Sequence, residues 1–167
     1  MIKISEATAE NIKTIQKITS ITWPITYGKI LSAEQLDYML GLFYSDEALN
    51  DQFKKKEQLF YMISEDKTIL GFIGIEHNYK NEAVTKIHKI YLLPETQGKG
   101  IGKKVIEEIK KMALKNHSTS LFLNVNRFNS AIGFYKKIGF EVIDEVNIDI
   151  GNGYLMEDYV MEKKFYN

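Results

Sequence analysis

An apolar strand end, Leu92-Leu93-Pro94, runs straight into Gln97-Gly98-Lys99-Gly100-Ile101-Gly102 and then into a helical pattern. Glycines at alternate positions answer a need for positive φ, or for backbone that a ligand approaches closely, where a Cβ would clash. A strand, a glycine loop and a helix start are therefore fixed here more tightly than anywhere else in the chain. The loop's N–H groups, gathered at the positive end of a new helix, suit a pyrophosphate without any charged side chain. Lys99, Lys103 and Lys104 add mobile positive charge beside it.

Spacing decides which phosphate ligand. A dinucleotide fingerprint requires G-x-G-x-x-G, yet after Gly98 and Gly100 the third glycine comes one residue early, at Gly102, and Lys103 stands where it should be. A Walker A loop requires a glycine five residues before Gly-Lys-Ser/Thr, and Gln97 and Lys104 break that pattern. Both nucleotide readings fail, and Q-x-x-G-x-G remains.

With 167 residues, 44% of them hydrophobic, the chain can bury one core and is too short for two comfortable domains, so residues 1–167 are expected to form a single domain. Lys+Arg and Asp+Glu both total 22, which gives no field favouring nucleic acid or an anionic membrane. The absence of cysteine removes disulfides, thiolate metal sites and a cysteine nucleophile together, and no metal is expected. Met1-Ile2-Lys3-Ile4-Ser5-Glu6 carries no signal-peptide apolar region, and no apolar run nears the ~18 residues of a membrane span, so the expected location is cytoplasmic.

Along the chain, Ile2 to Glu6 reads as a strand, and Thr8 precedes a helical pattern through Ile12, Ile15 and Ile18 that Trp23-Pro24 should end. Ser32-Ala33-Glu34-Gln35 opens a second helix through Leu36, Met39 and Leu40, and a third follows Ser45-Asp46-Glu47. From Leu59 the period shifts to two. Leu59 to Ser64, Ile69 to His77 and Val84 to Leu93 read as strands of an antiparallel meander, with a turn at Glu65-Asp66-Lys67-Thr68. After the glycine loop, Ile101, Val105, Ile109 and Met112 form an apolar stripe. Ser120 to Asn126 alternates as a strand, a short helix spans Asn129 to Ile138, and a last hairpin turns at Asn152-Gly153.

Two motifs in this order carry a family resemblance. Gln97-Gly98-Lys99-Gly100-Ile101-Gly102 resembles the coenzyme A pyrophosphate loop of the GNAT superfamily of N-acyltransferases. Leu123-x-Val125-x-x-x-Asn129, Ala131, Phe134-Tyr135 and Gly139-Phe140 are similar to that family's L-x-V, N, A, fY and GF pattern, with the gap from Asn129 to Ala131 one residue shorter than usual. The resemblance covers nearly the whole chain. It implies an α/β (α+β) fold with a mixed, mostly antiparallel central sheet of about seven strands flanked by helices, and splayed strands forming the acyl-CoA site.

It further implies direct transfer of an acetyl group from acetyl-CoA, as co-substrate, to a primary amine, as in bacterial polyamine and small-amine acetyltransferases. In that scheme Leu92 and Leu93 orient pantetheine and polarise the thioester carbonyl through their backbone. Gln97, Gly98, Lys99, Gly100, Ile101, Gly102 and Lys103 hold the pyrophosphate, Asn129 contacts the pantetheine arm, and Tyr135 protonates the departing thiolate. On residue type alone, Tyr135 also reads as core packing and Asn129 as a helix cap. His88, on the strand before the loop, is the convenient proton acceptor near neutral pH, and a water chain through Glu76 or His77 is its competitor.

Between Lys29 and Phe53 stand Glu34, Asp37, Asp46, Glu47 and Asp51 against one lysine. That imbalance reads either as the exposed sides of ordinary helices or as attraction for a cationic acceptor, with Trp23 and Tyr27 lending aromatic faces to an alkylammonium group. The acceptor is expected to be a small amine, a polyamine or a peptide amine. A non-catalytic acyl-CoA-binding or regulatory module is the alternative. Exposed strands of the C-terminal hairpin suggest a homodimer.

Overall fold

The computed structural model describes residues 1–166. Seven strands, β1 (Ile2–Glu6), β2 (Leu59–Glu65), β3 (Thr68–His77), β4 (Val84–Leu92), β5 (Ser120–Asn126), β6 (Glu141–Gly151) and β7 (Tyr154–Lys164), lie in one sheet in the order β1-β2-β3-β4-β5-β7-β6. The described residues also form five α-helices, three between β1 and β2, one between β4 and β5 and one between β5 and β6: α1 (Ile12–Tyr27), α2 (Ala33–Tyr44), α3 (Asp46–Lys55), α4 (Ile101–Lys115) and α5 (Ala131–Lys137). β4 and β5 are parallel, whereas β1 with β2, β2 with β3, β5 with β7 and β6 with β7 run antiparallel. This is the mixed, mostly antiparallel seven-stranded sheet expected. Contacts divide the chain into two units, one holding Met1–Glu76 with His88–Ile109, the other His77–Ile87 with the chain from Lys110 onward.

In the first unit, β1 pairs with β2 so that Ile4 faces Ile63 across the ladder, and β2 pairs with β3 through Met62 and Phe72. Ile15, Leu49, Ile63, Phe72, Ile73 and Ile75 are wholly buried. Helix starts follow their caps. Thr8 and Asn11 exchange a capping box ahead of α1, the Ser32 hydroxyl accepts from Gln35 N at 3.1 Å, and the Ser45 hydroxyl accepts from Ala48 N at 3.1 Å. Each such cap contributes about 1 kcal/mol by satisfying an orphan amide of the first turn.

Pro24 does not end α1, contrary to the sequence expectation; the helix continues through it to Tyr27. Proline in a helix interior costs about 3 kcal/mol, and tertiary packing offsets it. Trp23 and Tyr27, one turn apart, bring their ring centroids to 4.8 Å, Trp23 packs edge-on against Tyr44 at 5.5 Å, and the buried Thr22 hydroxyl donates to Ile18 O at 2.9 Å.

The second unit holds the paired segments Val84–Ile87 of β4 and Ser120–Leu123 of β5, with Thr119 N donating to Ala83 O at 2.7 Å. Leu121, Leu123 and Val125 are buried on alternate positions of β5, as their spacing predicts. The β6–β7 turn places Asn152 at φ 56° and Gly153 at φ 79°, the pair of left-handed residues that a two-residue hairpin turn requires. Along α4 the buried row is Ile101, Val105, Ile109 and Ala113, joined by Ile106, while Met112 is only half-buried. The stripe repeats every fourth residue, so Ala113 takes the place expected of Met112. α5 begins at Ala131 rather than Asn129, because Asn129 Oδ1 accepts from Ala131 N at 2.8 Å and so stands before the helix.

Candidate active site

The glycine loop leaves β4 at Leu92. Leu93 stays extended and donates its N–H to Leu70 O at 2.8 Å, so the chain remains stitched to β3 one residue past the strand. Pro94 to Thr96 form a tight 3₁₀ turn closed from within, where the buried Thr96 donates both its N–H (3.0 Å) and its hydroxyl (2.7 Å) to Leu93 O. Gly98 at φ 76° and Gly100 at φ 70° then turn the backbone through the left-handed region. A Cβ built at either position would meet nothing within 4 Å, so these glycines answer to backbone angle and leave open space beside the main chain.

Lys104 N donates to Gly100 O at 3.2 Å and begins the α4 hydrogen-bond series, so the amides just ahead of it have no acceptor four residues back. Ile101 anchors this turn in the core, whereas Gln97, Lys99, Lys103 and Lys104 are exposed. Unpaired N–H groups at the start of a helix, beside open space, are an arrangement that suits an anionic group.

On the strand leading to this loop, His88 Nε2 lies 2.9 Å from Glu76 Oε1, both side chains half-buried. His88 and Glu76, expected on competing routes for the proton, are thus in direct contact. His77 belongs elsewhere. Its Nδ1 is 2.8 Å from Thr85 Oγ1, which is 2.7 Å from Ser118 Oγ, and burial holds its imidazole pKa below the ordinary value.

Lys89, the next residue after His88, escaped the sequence reading. It is buried, and its Nζ donates to Gln52 Oε1 at 2.9 Å and Gln58 Oε1 at 2.8 Å, above the rings of Phe60 (5.3 Å) and Tyr44 (5.8 Å). Burial pushes its pKa from 10.5 to about 8. A signal existed, because Lys89 falls on the inward phase of β4, in step with buried Thr85 and Ile87.

The aromatic residues expected to meet an acceptor lie in one group. Trp23, only 3% exposed, packs on Tyr27, Tyr44 and Tyr91, and Phe72 closes on Tyr91 at 5.7 Å and Tyr44 at 6.2 Å. The acids before β2 are partly matched inside the unit. Asp46 accepts from Lys13 at 3.0 Å and Gln16 at 2.8 Å, hydrogen bonds that hold its carboxyl below the usual range, and Asp51 pairs with Lys55 at 3.0 Å.

In the second unit, Tyr135 is 8% exposed on α5, edge-on to Phe134 at 5.4 Å and Phe140 at 5.6 Å. Asn129, one residue before the Ser130 N-cap, accepts from Ala131 N, the first amide of that helix, as described above. Among the described residues no group of three or more His, Cys, Asp or Glu stands together to hold a metal ion, and no helix is long and apolar enough to cross a membrane.

Comparison with known proteins gives the following. Residues 30–163 match the model of the acetyltransferase (GNAT) domain. The chain is 30% identical to spermidine N(1)-acetyltransferase of Thermoplasma acidophilum, over 98% of both sequences. It is 28% identical to the peptidyl-lysine N-acetyltransferase YjaB of Salmonella typhimurium, over 68% of this chain and 71% of that one. Among solved structures, the PaiA N-acetyltransferase of Thermoplasma acidophilum in complex with coenzyme A superposes with a TM-score of 0.82 at 29% identity, covering 99% of each chain.

Proposed function

The chain belongs to the GNAT acetyltransferase family, and from that premise we propose that it acetylates a primary amine of a small molecule or polyamine, with the roles below assigned to its residues. Acetyl-CoA is the co-substrate and supplies the acetyl group as a thioester. The observation that carries the reading is the cradle at Gly98 and Gly100, whose positive φ values and open flank present the first amides of α4 to a polyanion. Gln97 to Lys103 hold the pyrophosphate, and the backbone of Leu92 and Leu93 orients the pantetheine. The family match over residues 30–163 draws on both units, which supports treating the chain as one catalytic domain.

His88 accepts the proton that the amine loses as its nitrogen bonds to the acetyl carbon, and Glu76, 2.9 Å away, stabilises the imidazolium. Tyr135 delivers a proton to the sulfur as the C–S bond breaks, and Asn129 contacts the pantetheine arm. Both are assigned from the motif Asn129, Ala131, Phe134-Tyr135, Gly139-Phe140. A spermidine acetyltransferase 30% identical over nearly the full length supports a polyamine acceptor, with a peptide amine second. Two copies would meet along β6, the exposed strand at the end of the sheet order.

The deciding measurement follows thiol release from acetyl-CoA with a panel of polyamines, amino acids and peptides. Amine-dependent release supports transfer. The packing of Tyr135 between Phe134 and Phe140 favours a second reading, a module that binds acyl-CoA without turnover. Tight acetyl-CoA binding with no release from any amine would establish that one.

A further inference from the structure

Three tyrosine hydroxyls and one indole N–H converge inside the first unit. Tyr27 and Tyr91 bring their hydroxyls to 3.4 Å. Tyr44 is hydrogen-bonded to Tyr91, and burial pushes its phenol pKa well up, so it stays protonated. Trp23 Nε1, fully buried, faces the Tyr44 hydroxyl off the geometry of a good hydrogen bond. Phenylalanine would fill the same volume without any polar group to satisfy, and a core built only for packing has no use for this concentration of phenols. A cation, Lys89, stands over the Tyr44 ring. The phenolic oxygens here suit N–H donors, and the ring surfaces suit alkyl chain.

Resting on the acetyltransferase reading, we infer that the Tyr27 and Tyr91 hydroxyls, backed by Tyr44, are the docking point for the acceptor's primary amino group, with its alkyl chain laid against the rings of Tyr27 and Tyr91 and with Trp23 behind them. Tyr27 and Tyr91 are half-buried and Tyr44 and Trp23 are buried, so the first pair is the face a ligand reaches. The acceptor class is an unbranched primary alkylamine, either a monoamine or the end of a polyamine whose remaining charges stay outside. Tyr44 and Tyr91 join Trp23 and Tyr27 as determinants of specificity, and Trp23 acts as wall more than as an open face.

Trp23 is the only tryptophan in the chain, so its emission reports on this site without turnover. Titrations would use n-butylamine, spermidine and butyltrimethylammonium with the intact protein. The expected result is a saturable change in emission with the two primary amines and none with the quaternary ion, which has no N–H to donate. Tyr27→Phe and Tyr91→Phe should each weaken primary-amine binding roughly fivefold or more, the effect of one lost hydrogen bond, with thermal melts matching the parent. Equal binding of the quaternary ion would overturn the inference in favour of a cage of ring faces, as would unchanged affinity in both variants. Amine-dependent thiol release without any Trp23 response would overturn it and leave the transfer reading standing. A Trp23 response without thiol release would do the reverse.

Discussion

Glu76 Oε1 and His88 Nε2 sit 2.9 Å apart, a pair drawn together from adjacent stretches of β3 and β4 and only partly shielded from water. If His88 is the base, His88→Gln should lower kcat by roughly 10²- to 10⁴-fold, the usual contribution of a positioned proton acceptor. Glu76→Gln keeps the imidazole and should cost less, about tenfold. The double variant should be no slower than His88→Gln, because the two act as a unit. Steady-state rates across pH 6 to 9 check this, and undiminished activity in His88→Gln would remove it from the mechanism.

Gly98→Ala and Gly100→Ala separate backbone angle from space. A methyl group at either position meets no neighbour, so the folding cost is confined to holding an L residue near φ 70° to 76°, roughly 1 to 2 kcal/mol. Differential scanning calorimetry should register a fall of several degrees. Acetyl-CoA affinity by titration calorimetry should weaken further, roughly tenfold, because the methyl enters the space beside the amides that the pyrophosphate would occupy. Equal losses in stability and none in affinity would place the ligand elsewhere.

What the sequence disclosed was whatever a short stretch of chain decides for itself. Ser32 and Ser45 cap their helices because hydroxyl and amide lie three residues apart. Asn152-Gly153 turns the hairpin, and Gly98 and Gly100 take positive φ, for reasons equally local. Pro24 misled because the packing of Trp23 and Tyr27 that carries α1 through it involves Tyr44, on another helix. Lys89 was hidden for a similar reason. A lysine on an inward phase is interpretable only once Gln52 and Gln58 arrive, 37 and 31 residues away. Among the acids before β2, which read either as ordinary helix faces or as attraction for a cationic acceptor, Asp46 is held by Lys13, 33 residues away, a pairing no local pattern announces. Composition counts charges, whereas only the fold assigns their partners.

Lys89 makes a pH prediction whose sign is unusual for a lysine with partners. Its folded pKa is about 8, below its ordinary 10.5, because burial disfavours the ammonium. Between those values the unfolded chain binds the extra proton, so stability rises with pH across that window, by an upper limit of roughly 3 kcal/mol. The neutral amine still has two N–H groups, enough for Gln52 and Gln58, so the site survives deprotonation. Urea unfolding of the parent and Lys89→Met at about pH 7.5 and pH 9.5 isolates this contribution from other titrations. The parent should gain stability relative to the variant on going to the higher pH, and a pH-independent difference would refute the burial account.

Tyr135→Phe addresses the conflict between packing and chemistry at one side chain. The ring is held by Phe134 and Phe140, and Phe140 N donates to Tyr135 O, so every one of these contacts survives loss of the hydroxyl. Melting temperature should change little if the hydroxyl's work is catalytic. The rate should then fall roughly 10- to 1000-fold, with acetyl-CoA affinity unchanged, because a proton delivered to a leaving thiolate matters in the transition state and not in binding. A less basic leaving group bears on the same point. Acetyl thioesters of more acidic thiols need less protonation, so the penalty of Tyr135→Phe should shrink as the thiol pKa falls. A penalty that is constant across thiols, accompanied by a lower melting temperature, would return Tyr135 to a packing role and leave protonation of the sulfur to water.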